Sequence, residues 1–240
     1  MKIFKKNKLI LLLPILLLVL YFCAGVFFDP KHVIYVKPLI IPTFMIYVLK
    51  NNLDKITLNY ILFVMFFYIN EVTLLFWENS LHFYRISLIS SFFAYLTLVI
   101  LGYKSIKIDK LQAIPSGYSL FILIINCIFL LGIVYLISSA ITDNYINIII
   151  VFNALITIVL GSTAVLYLSK FGNRKAYFYF FGAFALIFND VFSAVGAYFI
   201  PNIFLNTLDR TLHFTAFYLI YLFTIHNTKK VENLVKDSQP

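Results

Sequence analysis

Eight apolar stretches, each separated from the next by a few polar residues, occupy nearly the whole chain, at about residues 9–28, 36–49, 57–77, 83–103, 116–138, 145–168, 176–199 and 207–226. A helix needs roughly 20 predominantly apolar residues to cross the hydrocarbon core of a bilayer, and most of these stretches have that length. Of the 240 residues, 62% are hydrophobic and 12% charged, whereas a soluble domain is roughly half apolar and a quarter charged. No soluble fold can hide that much apolar surface. The expectation is an all-α, polytopic integral membrane helix bundle of about eight transmembrane helices. Residues 1–228 form its single transmembrane domain, and 229–240 a short basic and polar cytoplasmic tail. Connections such as Lys50-Asn51-Asn52-Leu53-Asp54-Lys55 are too short to fold alone, so function must reside among the helices. The second stretch is the shortest, and Lys37-Pro38 and Pro42 interrupt its pattern.

The cations set the orientation. With the N-terminus inside, 15 of the 19 Lys and Arg residues fall on the cytoplasmic side, and the outer side keeps only Lys31, Lys37, Arg85 and Arg210. That asymmetry satisfies the positive-inside rule at each connection, and an odd number of spans would break it. The reading is a multi-pass protein of a bacterial-type inner (plasma) membrane, with both termini cytoplasmic. The net charge of +9 serves topology and attraction to anionic headgroups; there is no soluble basic surface for nucleic acid. Lys5, Lys6 and Lys8 before a leucine run imitate a signal peptide, but no small-x-small cleavage site follows, so an uncleaved first helix is expected. Cys23 and Cys127 fall inside apolar spans as small hydrophobes, and ligands for zinc or haem are lacking, so no cofactor is expected. No phosphate loop, nucleophile elbow or dinucleotide fingerprint is present.

Eight of the ten carboxylates, Asp209 among them, can be placed at interfaces, loops or the tail. Glu71 and Asp190 cannot. A carboxylate at the centre of a membrane helix costs about 2.5–3.5 kcal/mol on insertion scales, so it faces the bundle interior and marks a functional path or site. The alternative is an inter-helix hydrogen bond that only holds the bundle together. Both acids follow an asparagine and precede a valine, in Asn70-Glu71-Val72 and Asn189-Asp190-Val191, 119 positions apart. A four-plus-four parallel duplication would explain this, matching the third helix to the seventh. Arg85 and Arg210 open the fourth and eighth helices at corresponding ends, as duplicates or as ordinary anchors. If the acids share one cavity, burial and repulsion keep one neutral and able to donate a proton, while its ionised partner orients or activates water. A proton-coupled transporter needs the same pair without breaking a bond.

The string Gly182-Ala183, five residues, then Asn189-Asp190 resembles the Gly-Ala-x5-Ser-Asp signature of the YhhN family of eight-span membrane proteins, the lysoplasmalogenase family. Lys37-Pro38-Leu39 at the start of the second helix is similar to that family's Lys-Pro motif, and Asn70-Glu71 stands where the family usually has Gly-Asp. Two positions depart from the pattern: Glu71 replaces an aspartate, and Tyr95 appears where a histidine is common. The resemblance implies hydrolysis of the vinyl ether bond of a lysoplasmalogen-type lysophospholipid, releasing a fatty aldehyde. It assigns proton donation to Asp190 and cation stabilisation or water activation to Glu71. Lys37 is the candidate for the lipid phosphate, with a snorkelling interfacial lysine as the alternative. Asn70 and Asn189 are candidates to bond the acids or the headgroup, and Tyr95 and Tyr218 to donate into the cavity. His213 is placed near the outer start of the eighth helix, in reach of Asp190 or at the interface. The sequence leaves the oligomeric state open, and a transporter or lipid-binding protein without hydrolytic activity remains the alternative function.

Overall fold

The computed structural model describes residues 8–27, 34–52, 56–77, 80–108, 117–199 and 203–237. These residues are helical throughout, with no strand among them. The elements are α1 (Lys8–Phe27), a 3-10 turn (Ile34–Leu39), α2 (Ile40–Asn52), α3 (Leu58–Leu74), α4 (Leu81–Ile108), α5 (Gly117–Ala140), α6 (Asn144–Phe171), α7 (Arg174–Tyr198) and α8 (Ile203–Asp237). Four of them, α4 to α7, are long and apolar enough to cross a membrane. The second stretch opens as the 3-10 turn, which contains Pro38. Pro38 has no N–H for a helical ladder and disfavours a helical residue before it, so the regular helix starts two residues later. At the other end, α8 does not stop at residue 228 but runs to Asp237, so residues 229–237 continue that helix.

Local chemistry explains the sharper boundaries. Asp143 caps α6 by accepting the N–H groups of Tyr145 at 2.8 Å and Ile146 at 3.1 Å. At the far end of α6 the chain turns in two residues. Gly172 takes the left-handed conformation at φ 50°, and its N–H donates to the Leu168 carbonyl. Asn173 then caps α7 through the N–H of Ala176 at 2.9 Å. Glycine carries no Cβ penalty at such a helix end, and asparagine satisfies an N–H that the first turn leaves open.

The closest packing joins α7 to α8 and α3 to α4, and α4 also lies on α6. Between α2, α3 and α8 the core is aromatic: Phe63 stacks on Phe217 with centroids 4.9 Å apart, and Phe44 meets Phe217 and Tyr221 edge-on. Two glycines allow helices to approach. A Cβ on Gly102 of α4 would lie 2.2 Å from the hydroxyl of Tyr179 of α7, which donates to the Leu98 carbonyl at 3.0 Å. A Cβ on Gly182 of α7 would lie 2.7 Å from Ile220 of α8. Large apolar side chains such as Phe121, Ile125, Ile128 and Leu131 are exposed, while Asn70, Glu71, Asn189, Asp209 and Arg210 are buried. An apolar exterior around a core that holds a cluster of buried charges departs from the order of a soluble protein.

Candidate functional site

A cluster of buried polar residues lies at one end of the bundle, where α3 and α7 finish and α4 and α8 begin. Glu71 lies in the last turn of α3 and is 2% exposed. A negative charge there opposes the helix dipole, whose C-terminal end is already negative. Arg210 of α8 offsets it: its Nη1 donates to Glu71 Oε2 at 3.0 Å. The same guanidinium donates from Nε to Asp209 Oδ2 at 2.8 Å and also from Nη2. Both partners of each pair are almost fully buried, which makes the geometry demanding, because desolvated charges are tolerated only when paired and hydrogen-bonded. His213, one turn after Arg210, sets Nδ1 3.6 Å from Glu71 Oε1. Its ring stacks parallel on Phe217 and meets the edge of Phe67. From α1, Tyr21 stands within electrostatic reach of Arg210, Asp209 and Glu71.

Asp190 of α7 occupies a different environment. Its Oδ2 accepts the phenol hydroxyl of Tyr95, a residue of α4 with no exposed surface. Among the described residues no cation contacts it. Asn189 turns the other way: with its amide oriented to satisfy both ends, the nitrogen donates to Asp209 Oδ1 at 2.7 Å and to the Asp209 carbonyl at 2.6 Å. Asn70 accepts a hydrogen bond from Ser87 of α4. Four helices therefore converge, with α3 and α7 each contributing an Asn-acid pair, α4 hydroxyls, and α8 the cation. A fifth, α1, approaches through Tyr21.

The structure brings Glu71, Asp190, Asn70, Asn189 and Tyr95 into this cluster and leaves Tyr218 out of it. Tyr218 lies two turns further along α8 and has Tyr221 as its ring neighbour. The side chain of Lys37 lies outside the described residues. Asp209 and Arg210 correct the expectation of an interfacial placement, since both are 3% exposed. The reason is helical register: Asp209, Arg210, His213, Ala216, Phe217 and Ile220 share the buried face of α8, and that spacing of three and four was the available signal. His213 likewise lies inside the bundle, against Glu71 rather than at the surface. Arg85 is the opposite case, pairing with Asp143 of the α6 cap at 2.7 Å while about a third exposed. Among the described residues no group of three or more His, Cys, Asp or Glu is arranged to hold a metal. Cys23 and Cys127 are free thiols.

No family model matches the chain, and no curated protein or solved structure is significantly similar to it.

Proposed function

We propose that the chain is a membrane-embedded hydrolase of the vinyl ether bond of lysoplasmalogen-type lysophospholipids, the activity that its resemblance to the YhhN family implies. One observation supports this reading above the others. Of three carboxylates in the cluster, Glu71 and Asp209 share the cation Arg210, whereas Asp190 has hydrogen-bond partners and, among the described residues, no cation. An acid that must hold a proton and then release it to carbon is better served by such an environment than by an ion pair.

In its protonated form Asp190 gives its proton to the outer carbon of the vinyl ether. The electron pair of the C=C bond forms the new C–H bond and leaves an oxocarbenium ion. The Glu71 carboxylate stabilises that cation electrostatically where water is excluded. Water adds to the oxocarbenium carbon, its proton returns to the Asp190 carboxylate, and the hemiacetal collapses to a fatty aldehyde and the glycerophospho-alcohol. Lys37, in the 3-10 turn, is the proposed contact for the lipid phosphate.

The same proposal includes eight spans, a single transmembrane domain and cytoplasmic termini in a bacterial-type inner membrane, with the cluster in the outer half. Helix α2 alone is short, at 13 residues, or roughly 20 Å of rise. The six-residue turn before it adds roughly 12 Å, so together they reach the ~30 Å of a hydrocarbon core.

The test is aldehyde release from a lysoplasmalogen by the purified protein. Asp190→Asn and Glu71→Gln are each expected to lower turnover by at least about a hundredfold while the protein inserts and stays folded. Undiminished release by either variant removes that residue from the mechanism. No release by folded wild type overturns the hydrolase reading in favour of a transporter or lipid-binding protein with intramembrane protonatable carboxylates.

A further inference from the structure

Tyr95 was expected to donate into a substrate cavity, but its only hydroxyl proton is committed to Asp190. It belongs to a row. Ser87, Ser91 and Tyr95 recur every four residues and are buried on one face of α4, as residues at i, i+4 and i+8 must be. Ser87 donates to Asn70 of α3 and Tyr95 donates to Asp190 Oδ2, with Ser91 beside the Tyr95 phenol. A hydroxyl has one proton to give and two lone pairs to accept with. With its proton given to the acid, Tyr95 has only lone pairs to offer Ser91, and donors in such a chain strengthen one another.

The second oxygen of Asp190 meets Asn189. Because the Asn189 nitrogen is taken by two acceptors on Asp209, its carbonyl oxygen faces Asp190 Oδ1, across about 3.4 Å. Two acceptor oxygens face each other there, at a separation longer than an O–H···O hydrogen bond, and a proton on Oδ1 relieves their repulsion. Asp190 is only partly buried as a residue, while Tyr95 and Asn189 are covered.

We infer that Tyr95, backed by Ser91, is a positioning residue that fixes the two oxygens of Asp190 in different roles: Oδ1 carries the transferable proton, and Oδ2 accepts the hydrogen bond that strengthens as the transfer leaves charge on the carboxylate. This rests on the hydrolase reading for its chemical consequence and on the hydrogen bonds alone for its structural one. As the proton passes from Oδ1 to carbon, the carboxylate charge spreads to both oxygens and the bond from Tyr95 becomes charge-assisted. It is therefore stronger in the transition state than in the resting acid, which is the condition for accelerating the step. The proton that water later loses returns to Oδ1, and the cycle closes without a change at Tyr95.

Infrared difference spectroscopy of the full-length protein reads the structural half. A carboxylic-acid C=O band that disappears in Asp190→Asn identifies the protonated acid, and loss of the donor to Oδ2 in Tyr95→Phe moves that band to higher frequency. Ser91→Ala, a milder change that keeps Tyr95 in place, moves it the same way by less. Kinetics of aldehyde release reads the other half: Tyr95→Phe lowers kcat roughly tenfold to a hundredfold, the range for a hydrogen bond to a charged group, with KM little changed. Absence of any Asp190 band, or a band that neither variant moves, overturns the assignment of the oxygens. A moved band with undiminished kcat overturns the role in proton transfer. Should wild type release no aldehyde, the hydrolase reading fails, and the infrared result alone decides where the proton lies.

Discussion

Helices α5 and α8 lie at opposite extremes of the bundle. α5 is the most apolar of the long helices, yet only 17% of its central window is buried. Its inward face is a narrow strip of Asn126, Leu130 and Ile137 flanked by the partly buried Ile133 and Val134, and much of the rest of its circumference is open. α8 carries Asp209, Arg210, His213 and Thr224 and hides all four. The more polar helix is therefore central and the more apolar one peripheral. In water the hydrophobic effect would enforce the reverse. In a bilayer lipid solvates leucine as well as protein does, so helices associate through close packing and polar contacts instead. α8 has Gly182 of α7 to receive Ile220 and Glu71 of α3 to receive Arg210, whereas α5 offers neighbours little besides its strip.

The largest effect should come from Arg210. Arg210→Met removes the buried cation that Glu71 and Asp209 share, and breaking a buried pair in this way costs about 3–5 kcal/mol. Thermal unfolding in detergent should show a severe loss, against a small one for Arg85→Met, and the double variant Glu71→Gln with Arg210→Met should recover part of it. Equal losses for the two arginines would break the contrast between centre and periphery. A second pair of variants sharpens the packing half of the comparison. Gly102→Ala places a methyl group on the Tyr179 hydroxyl and should cost roughly 1–3 kcal/mol. Nothing lies within 4 Å of a Cβ on Gly132 of α5, so Gly132→Ala should melt at or above wild type, since alanine is the better helix former.

The helices were legible because apolar length is a local property that survives any arrangement of neighbours. Glu71 and Asp190 were legible for a related reason: a carboxylate in the middle of an apolar run has nowhere to be but inside. Arg210 was harder. It lies seven residues into α8, at a depth where an arginine can also extend to the membrane surface, and what keeps it inside is a carboxylate 139 positions away. The interval from Arg210 through His213 to Phe217 marked the buried face, but the same spacing fits an interfacial stripe until the partner on α3 is known. Tyr95 stands where the resembled family commonly has a histidine, but as one of 17 tyrosines it gave no sign of its partner. Its attachment to Asp190 joins α4 to α7, a contact that no single helix encodes.

The smallest effect should come from the exposed counterpart of the buried network. Asp143 caps α6 and accepts a hydrogen bond from Arg85, and these bonds, with that from Arg85 first and the Ile146 N–H next, hold its carboxyl below the usual aspartate range. A lowered value in the folded state means that folding favours the ionised form. The resulting stabilisation is fully present above the unfolded value of about 3.9 and is lost as pH falls through the folded one. The melting temperature should therefore decline slightly between about pH 5 and pH 2 from this group. Arg85→Gln removes the leading cause, so the decline attributable to Asp143 should shrink. High salt should shrink it too, because the pair is open to solvent. An acid limb identical in wild type and Arg85→Gln would mean that this pair contributes nothing measurable, as many surface ion pairs do. The tie between α4 and α6 would then rest on their packed faces and on the bond from Asn153 Nδ2 to the Leu88 carbonyl at 2.8 Å.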